Sequence, residues 1–161
     1  MSSLFPLVTE ITKIRGIVSI IKQNKGAIGL SELADEADED IDDLLPLVEA
    51  CNILGFTTVH GSSIKLTAAG RKFSATNATR MVRDKLALVE PFRSAMEILR
   101  KDGDLTTADL TQKLREKGVA LHGEEETNTI LLKKMFLRLG IRTRLLFYNA
   151  ESDMWSARGS S

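Results

Sequence analysis

The sequence predicts a mainly α protein with small β-hairpins, an α+β chain made of two winged-helix-like units in tandem. Three observations carry that expectation. Apolar residues recur at three- and four-residue steps through most of the chain, the period of a half-buried helix. Two β-prone runs are each followed by turn residues and a second such run. The order of a short capped helix, an acidic helix start, a Leu-Gly-apolar triplet and a hairpin occurs twice, an approximate internal repeat. The 161 residues allow one ordinary domain or two very small ones. The division is placed in the polar connector after Phe73, giving units 1–75 and 76–161 packed together as one compact body.

In the first unit, Leu7, Ile11, Ile14, Val18 and Ile21 predict an amphipathic helix over 7–24, ended by Gly26 and Gly29. Ser31 is a good N-cap for a short helix over 32–37, with Leu33 and Ala34 inward. Residues 42–56 then read as one amphipathic helix. Acid residues stand where the helix dipole favours them, Pro46 lies near the first turn, and Gly55 stands where a left-handed residue stops a helix. Phe56 to Val59 and Ile64 to Leu66 make a hairpin around His60-Gly61-Ser62-Ser63. Thr67 caps a last short helix through Phe73.

The second unit repeats the plan. Helical segments cover 80–88 and 92–101 on either side of Pro91, and Thr106 or Thr107 caps a helix through Lys117 that Gly118 ends. Glu124-Glu125-Glu126 is a second acidic start. Its stripe, Ile130, Leu131, Met135, Phe136 and Leu139, ends at Leu139-Gly140-Ile141, an echo of Leu54-Gly55-Phe56. Residues 141–148 read as a strand, 149–153 as a turn and 154–156 as its return.

The run Asp42-Asp43-Leu44-Leu45-Pro46-Leu47-Val48-Glu49-Ala50, the subsequent Ile53-Leu54-Gly55-Phe56, and Ile64-Lys65-Leu66-Thr67-Ala68-Ala69-Gly70-Arg71-Lys72-Phe73 strongly resemble the C-terminal AAA-associated domain. That domain is similar to the segment after the ATP-binding cassette in some nitrate, sulfonate and taurine type ABC transporter ATPases. The resemblance covers about residues 12–157, with Leu145-Leu146-Phe147-Tyr148-Asn149 similar to the family's ending. It implies an accessory, regulatory module beside a transporter ATPase, with no enzymatic role of its own. The chain departs from the usual arrangement in lacking the cassette: there is no G-x-x-x-x-G-K-[ST] phosphate loop, so the module would act in trans.

Composition narrows the chemistry further. Lys plus Arg and Asp plus Glu each number 22, which argues against a surface that is a phosphate funnel throughout. The halves differ in sign, with 7 basic and 10 acidic side chains in 1–75 and 15 and 12 in 76–161. Cys51 is the single cysteine, so no intramolecular disulfide forms and a cytoplasmic protein is expected. Lys or Arg interrupts every apolar segment short of the roughly 18 to 20 residues a span requires, so no direct membrane insertion is expected. His60, His122 and Cys51 lack ligand spacing, and the acids at 38–43 and 124–126 are accounted for as helix starts. No nucleophile elbow is present. The expectation is therefore no catalytic, metal or cofactor site, and no enzyme.

Two surfaces stand out. Leu145, Leu146, Phe147 and Tyr148 form an apolar run at a sheet edge, a candidate protein interface that together with the face of the helix over 42–54 would bind an ABC transporter ATPase subunit or its regulator; a homodimer is a further expectation. Core burial explains the run equally well. The alternative is a winged-helix DNA-binding regulator whose phosphate contacts are Lys133, Lys134, Arg138, Arg142 and Arg144, the last two on alternate strand positions. The first unit is a poor reader of DNA, because its acids at 38–43 would face the like charge of the duplex.

Overall fold

The computed structural model describes residues 4–8 and 10–157; residues 1–3 and 158–161, the outer ends of the expected units, and Thr9 lie outside the described residues. It is a mainly α, α+β protein with two three-stranded antiparallel sheets among the described residues. Contacts divide it into two compact units: Glu10–Val82, and residues 4–8 together with the chain from Arg83 onward.

In the first unit, α1 (Ile11–Gln23) buries Ile11, Ile14, Ile17, Val18 and Ile21. The helix expected from residue 7 starts later, and Leu7 is exposed rather than core. Lys25 and Gly26 close α1 with positive φ; the Lys25 N–H donates to Lys22 O at 3.2 Å and the Gly26 N–H to Ile21 O at 2.9 Å. The chain then enters a strand, β1 (Ala27–Gly29), where only helix-ending glycines were expected. Because β1 stays extended through Gly29 to pair with Ser63, that glycine and not Ser31 is the N-cap of α2 (Leu30–Ala37).

The long amphipathic stretch forms α3 (Ile41–Ile53), with Asp42 and Asp43 in its first turn and Pro46 inside it. Gly55 stops it at φ +80: its N–H donates to Asn52 O (3.0 Å) and the Phe56 N–H to Cys51 O (2.9 Å). The hairpin of β2 (Thr57–His60) and β3 (Ser63–Leu66) turns at Gly61-Ser62, and β1 adds to β3, giving the order β1-β3-β2. Thr67 caps α4 (Ala68–Lys72) as expected, its hydroxyl accepting from the Gly70 N–H at 3.0 Å and donating to Gly55 O at 2.6 Å. A Cβ on Gly70 would run into the Phe56 carbonyl oxygen, so only glycine lets α4 lie this close to the α3–β2 corner. Phe56 and Phe73 stack beneath it at 4.2 Å.

The division between units falls within α5 (Ala78–Leu86). Then come α6 (Phe92–Asp102), β4 (Leu105–Thr106), α7 (Thr107–Glu116), α8 (Glu125–Met135), a π-helical turn over Phe136–Gly140, β5 (Leu146–Asn149) and β6 (Met154–Ala157). Thr106, not Thr107, caps α7, accepting from the Asp109 N–H at 3.2 Å. The sheet order β4-β6-β5 matches that of the first unit, as does the sequence helix, short strand, helix, helix, hairpin. Its core is strung on aromatic rings, Phe5, Phe92, Phe136, Trp155 and Tyr148, with successive centroids 6.3, 5.1, 5.8 and 4.5 Å apart. Phe5 belongs here through backbone as well: its N–H donates to Glu90 O at 2.7 Å, and His122 Nε2 donates to Phe5 O at 2.6 Å.

The echo of Leu54-Gly55-Phe56 is displaced. Gly140 sits inside the π-helical turn without a left-handed φ, and a Cβ there would come 2.9 Å from a Leu146 methyl. The stop comes four residues later at Arg144 (φ +62), whose N–H donates to Ile141 O while the Leu145 N–H donates to Gly140 O, both at 3.0 Å. This is the bond pattern of Gly55 and Phe56. Residues 141–145 are therefore a helix end, and the strand expected from Ile141 begins at Leu146.

Candidate protein-interaction surface

The expected interface run is split by its own backbone. Leu145 folds inward behind the left-handed Arg144, and strand alternation then sends Leu146 into the core and Phe147 outward. Leu145 and Leu146 are buried core residues, Tyr148 is half-buried, and only Phe147 is exposed, at 43%. The edge position is real: β5 is an outer strand of its sheet.

Tyr148 is held by a hydrogen-bond chain that ties the hairpin turn to the start of α7. Its hydroxyl donates to Asp153 Oδ1 at 2.7 Å; the Thr107 hydroxyl donates to the same oxygen at 2.7 Å and accepts from Trp155 Nε1 at 2.8 Å. Those bonds, Tyr148 first and Thr107 next, hold the Asp153 carboxyl below the usual carboxylate range. Lys133 joins this cluster, its ammonium 3.8 Å from Asp153 and 5.3 Å from the centre of the Tyr148 ring. The cluster is a structural clasp, and Lys133 is engaged in it.

The other basic residues differ. Lys134, Arg138, Arg142 and Arg144 are exposed, and none forms an ion pair among the described residues. Arg142 and Arg144 lie in the helix end and not on alternate strand positions, so they do not form the expected strand face. Interspersed with these cations are Ile130, Leu137 and Ile141, all exposed, Ile130 to 68%. The corresponding helix of the first unit, α3, also presents apolar side chains, Ile41 and Leu45, the latter 46% exposed. There the neighbours are Asp42, Asp43 and Glu49, all exposed. Single exposed apolar residues are ordinary, but these recur on corresponding helices of both units, flanked by opposite charges. Ile130, expected in the buried stripe, lies on the opposite face of its helix; Leu131 is only half-buried and Leu132 takes the core position, in step with Asn128, Met135, Phe136 and Leu139, while Leu45 likewise lies off the buried residues of α3.

The remaining polar candidates are absorbed locally. Exposed His60 lies 3.3 Å from the Thr58 hydroxyl, and His122 holds Phe5. Cys51 is fully buried and its thiol is pushed up to about 12 by loss of solvation. No three His, Cys, Asp or Glu side chains among the described residues are placed to hold a metal ion, and no helix there is long and apolar enough to cross a membrane.

A family model described as the C-terminal AAA-associated domain matches residues 31–138, from the start of α2 into the π-helical turn. The match is shorter at both ends than the stretch 12–157 over which the motifs are similar, leaving out α1 and the second hairpin. No curated protein and no solved structure matches the chain. Since the match spans more than half of the sequence and both units, the chain belongs to the C-terminal AAA-associated domain family.

Proposed function

We propose that this protein is a non-enzymatic accessory module of two winged-helix-like units that acts in the cytoplasm by binding an ATPase subunit of the ABC class. Membership of the family supports the class of partner. The observation that carries the binding role is the exposed apolar set on α8 and its π-helical continuation, Ile130, Leu137 and Ile141, set among exposed cations. A side chain of this size stabilises a complex by roughly 1.5–3 kcal/mol when fully buried, so two or three of them suffice as anchors. Because Leu145 and Leu146 are core, making them polar would unfold the unit; Phe147 is the residue of that run able to reach a partner.

The test is co-purification of an ABC-type ATPase subunit with the intact chain and with Ile130→Ser/Leu137→Ser and Phe147→Ser variants. The expected result is a complex with the unaltered chain and at least a tenfold weaker one with the double variant, at unchanged thermal stability. A complex indifferent to these substitutions overturns the assignment of the surface. Self-association of the chain through the same residues, with no ATPase bound, overturns the partner.

The second reading is a DNA-binding regulator, favoured by one observation: Lys134, Arg138, Arg142 and Arg144 are exposed together on one helix and its cap. Against it stand Glu124, Glu125 and Glu126, exposed at the helix start where a reader enters the groove. Duplex binding measured against salt decides it. Several phosphate contacts require micromolar or tighter binding that falls steeply with log salt, and no binding at low salt removes the reading.

A further inference from the structure

We infer that the first unit carries a binding groove for a phosphate group, between α1 and the residues just after α4. The groove is about 370 Å³ and is lined by Thr12, Arg15, Gly16, Ser19 and Lys22 along α1, with Phe73, Ser74 and Ala75 opposite and Val18 also contributing. Positions 12, 15, 16, 19 and 22 share the helix face turned away from the buried stripe. Its donors are those an oxyanion requires: a guanidinium, an ammonium and three hydroxyls, with no carboxylate in the lining.

Three further features distinguish it from an ordinary patch of surface. Gly16 opens the floor, since a Cβ there would meet nothing within 4 Å. The wall opposite is preformed. Lys22 Nζ donates to Phe73 O at 2.5 Å, which fixes the ammonium and leaves it two further donors, and the Ser74 N–H donates to Asn77 Oδ1 at 2.8 Å. The unit is also electrically divided: every one of its carboxylates except Glu10 lies between Glu32 and Glu49, on α2, α3 and the residues joining them, and Glu10 is paired with Lys13 at 3.9 Å. The lining itself thus holds Arg15 and Lys22 and no acid, and the α2 carboxylate that reaches the end of α1, Glu36, accepts from Asn24 Nδ2 at 2.7 Å. The groove of about 520 Å³ between α6 and α7 shows the contrast, because it is lined by acids as well as lysines and two of its three lysines are held in Lys113–Asp102 (3.3 Å) and Lys117–Glu97 (2.5 Å) pairs.

The volume exceeds one phosphate, so the shared chemistry is a phosphate dianion, free or as the ester of a small metabolite. Calorimetric titration of the intact chain at low salt with inorganic phosphate, ribose 5-phosphate and ribose tests this. Expected are dissociation constants of about 1 mM or tighter for at least one phosphate-bearing probe and no binding of ribose; the tighter of the two identifies the source. Arg15→Gln should weaken binding about tenfold, and Gly16→Leu should abolish it while the helix keeps its thermal stability, since leucine is the better helix former and the space is open. Lys101→Gln, in the groove between α6 and α7, should change nothing. Absence of binding to about 10 mM probe, or equal binding by the Gly16→Leu variant, overturns the inference.

Discussion

Cys51 shows how one buried atom reports on a whole unit. It lies on the inward side of α3 with no exposed surface, and desolvation raises its thiol from 9.0 to about 12. At neutral pH it is therefore a protonated, inert thiol in the fold and an ordinary reactive one once the first unit opens. Modification by a thiol reagent is expected to proceed only through unfolding, so its rate should track the opening equilibrium and rise with denaturant. The pH dependence has a definite sign. The folded state keeps the proton where the unfolded chain has lost it, so this contribution to stability is fully present below pH 9 and declines above it, by at most about 1.4 kcal/mol per pH unit up to about 12. Denaturant midpoints followed by circular dichroism should fall over that window in the parent and fall less in Cys51→Ala. Equal slopes, or rapid modification under native conditions, would refute the burial.

At the scale of elements, the chain's turns are decided by where a left-handed residue can be placed. Helices α3 and α7 end on glycines, Gly55 and Gly118, while α1, α2 and the end beyond α8 use Lys25, Asp38 and Arg144 at the same position. Lys25 and Arg144 are less suited than Asp38, because a residue other than glycine, asparagine or aspartate in this region costs about 1–2 kcal/mol. Arg144→Gly should stabilise the second unit by about 0.5–1 kcal/mol after the greater freedom of glycine in the unfolded chain is counted, measured as a raised denaturant midpoint. Loss of stability would mean that the side chain makes a contact worth more than the strain. The same position explains what was readable in advance. Helices and hairpins with a full apolar period, and caps such as Thr67, stand out in the sequence because their causes are local. A left-handed arginine has no local signature, so the conspicuous Gly140 drew the helix end four residues too early, and the reach of strand β5 with it. Strands β1 and β4, three and two residues long, have no period at all and exist because a hairpin edge captures them. The burial of Leu145 and Leu146 results from the same displaced stop.

Across the whole molecule, the least local feature is the first described segment. The helix expected from residue 7 would begin within this segment, yet Phe5 just before it is fully buried against Phe92 in the second unit, with its backbone bonded to Glu90 and His122. Nothing in a window of neighbours points to a partner 85 residues or more away in the chain. The arrangement makes a sharp prediction because each unit contains a private probe: Trp155, the single tryptophan, in the second, and Cys51, the single cysteine, in the first. Removing the Phe5 ring leaves a cavity at the end of the aromatic chain, which costs about 3–5 kcal/mol. Phe5→Ala should therefore lower the midpoint of unfolding detected by Trp155 fluorescence, with little change in the midpoint detected by Cys51 labelling. If both probes shift together, the two units unfold as one cooperative body. If neither shifts, the segment is not anchored where the aromatic contacts place it.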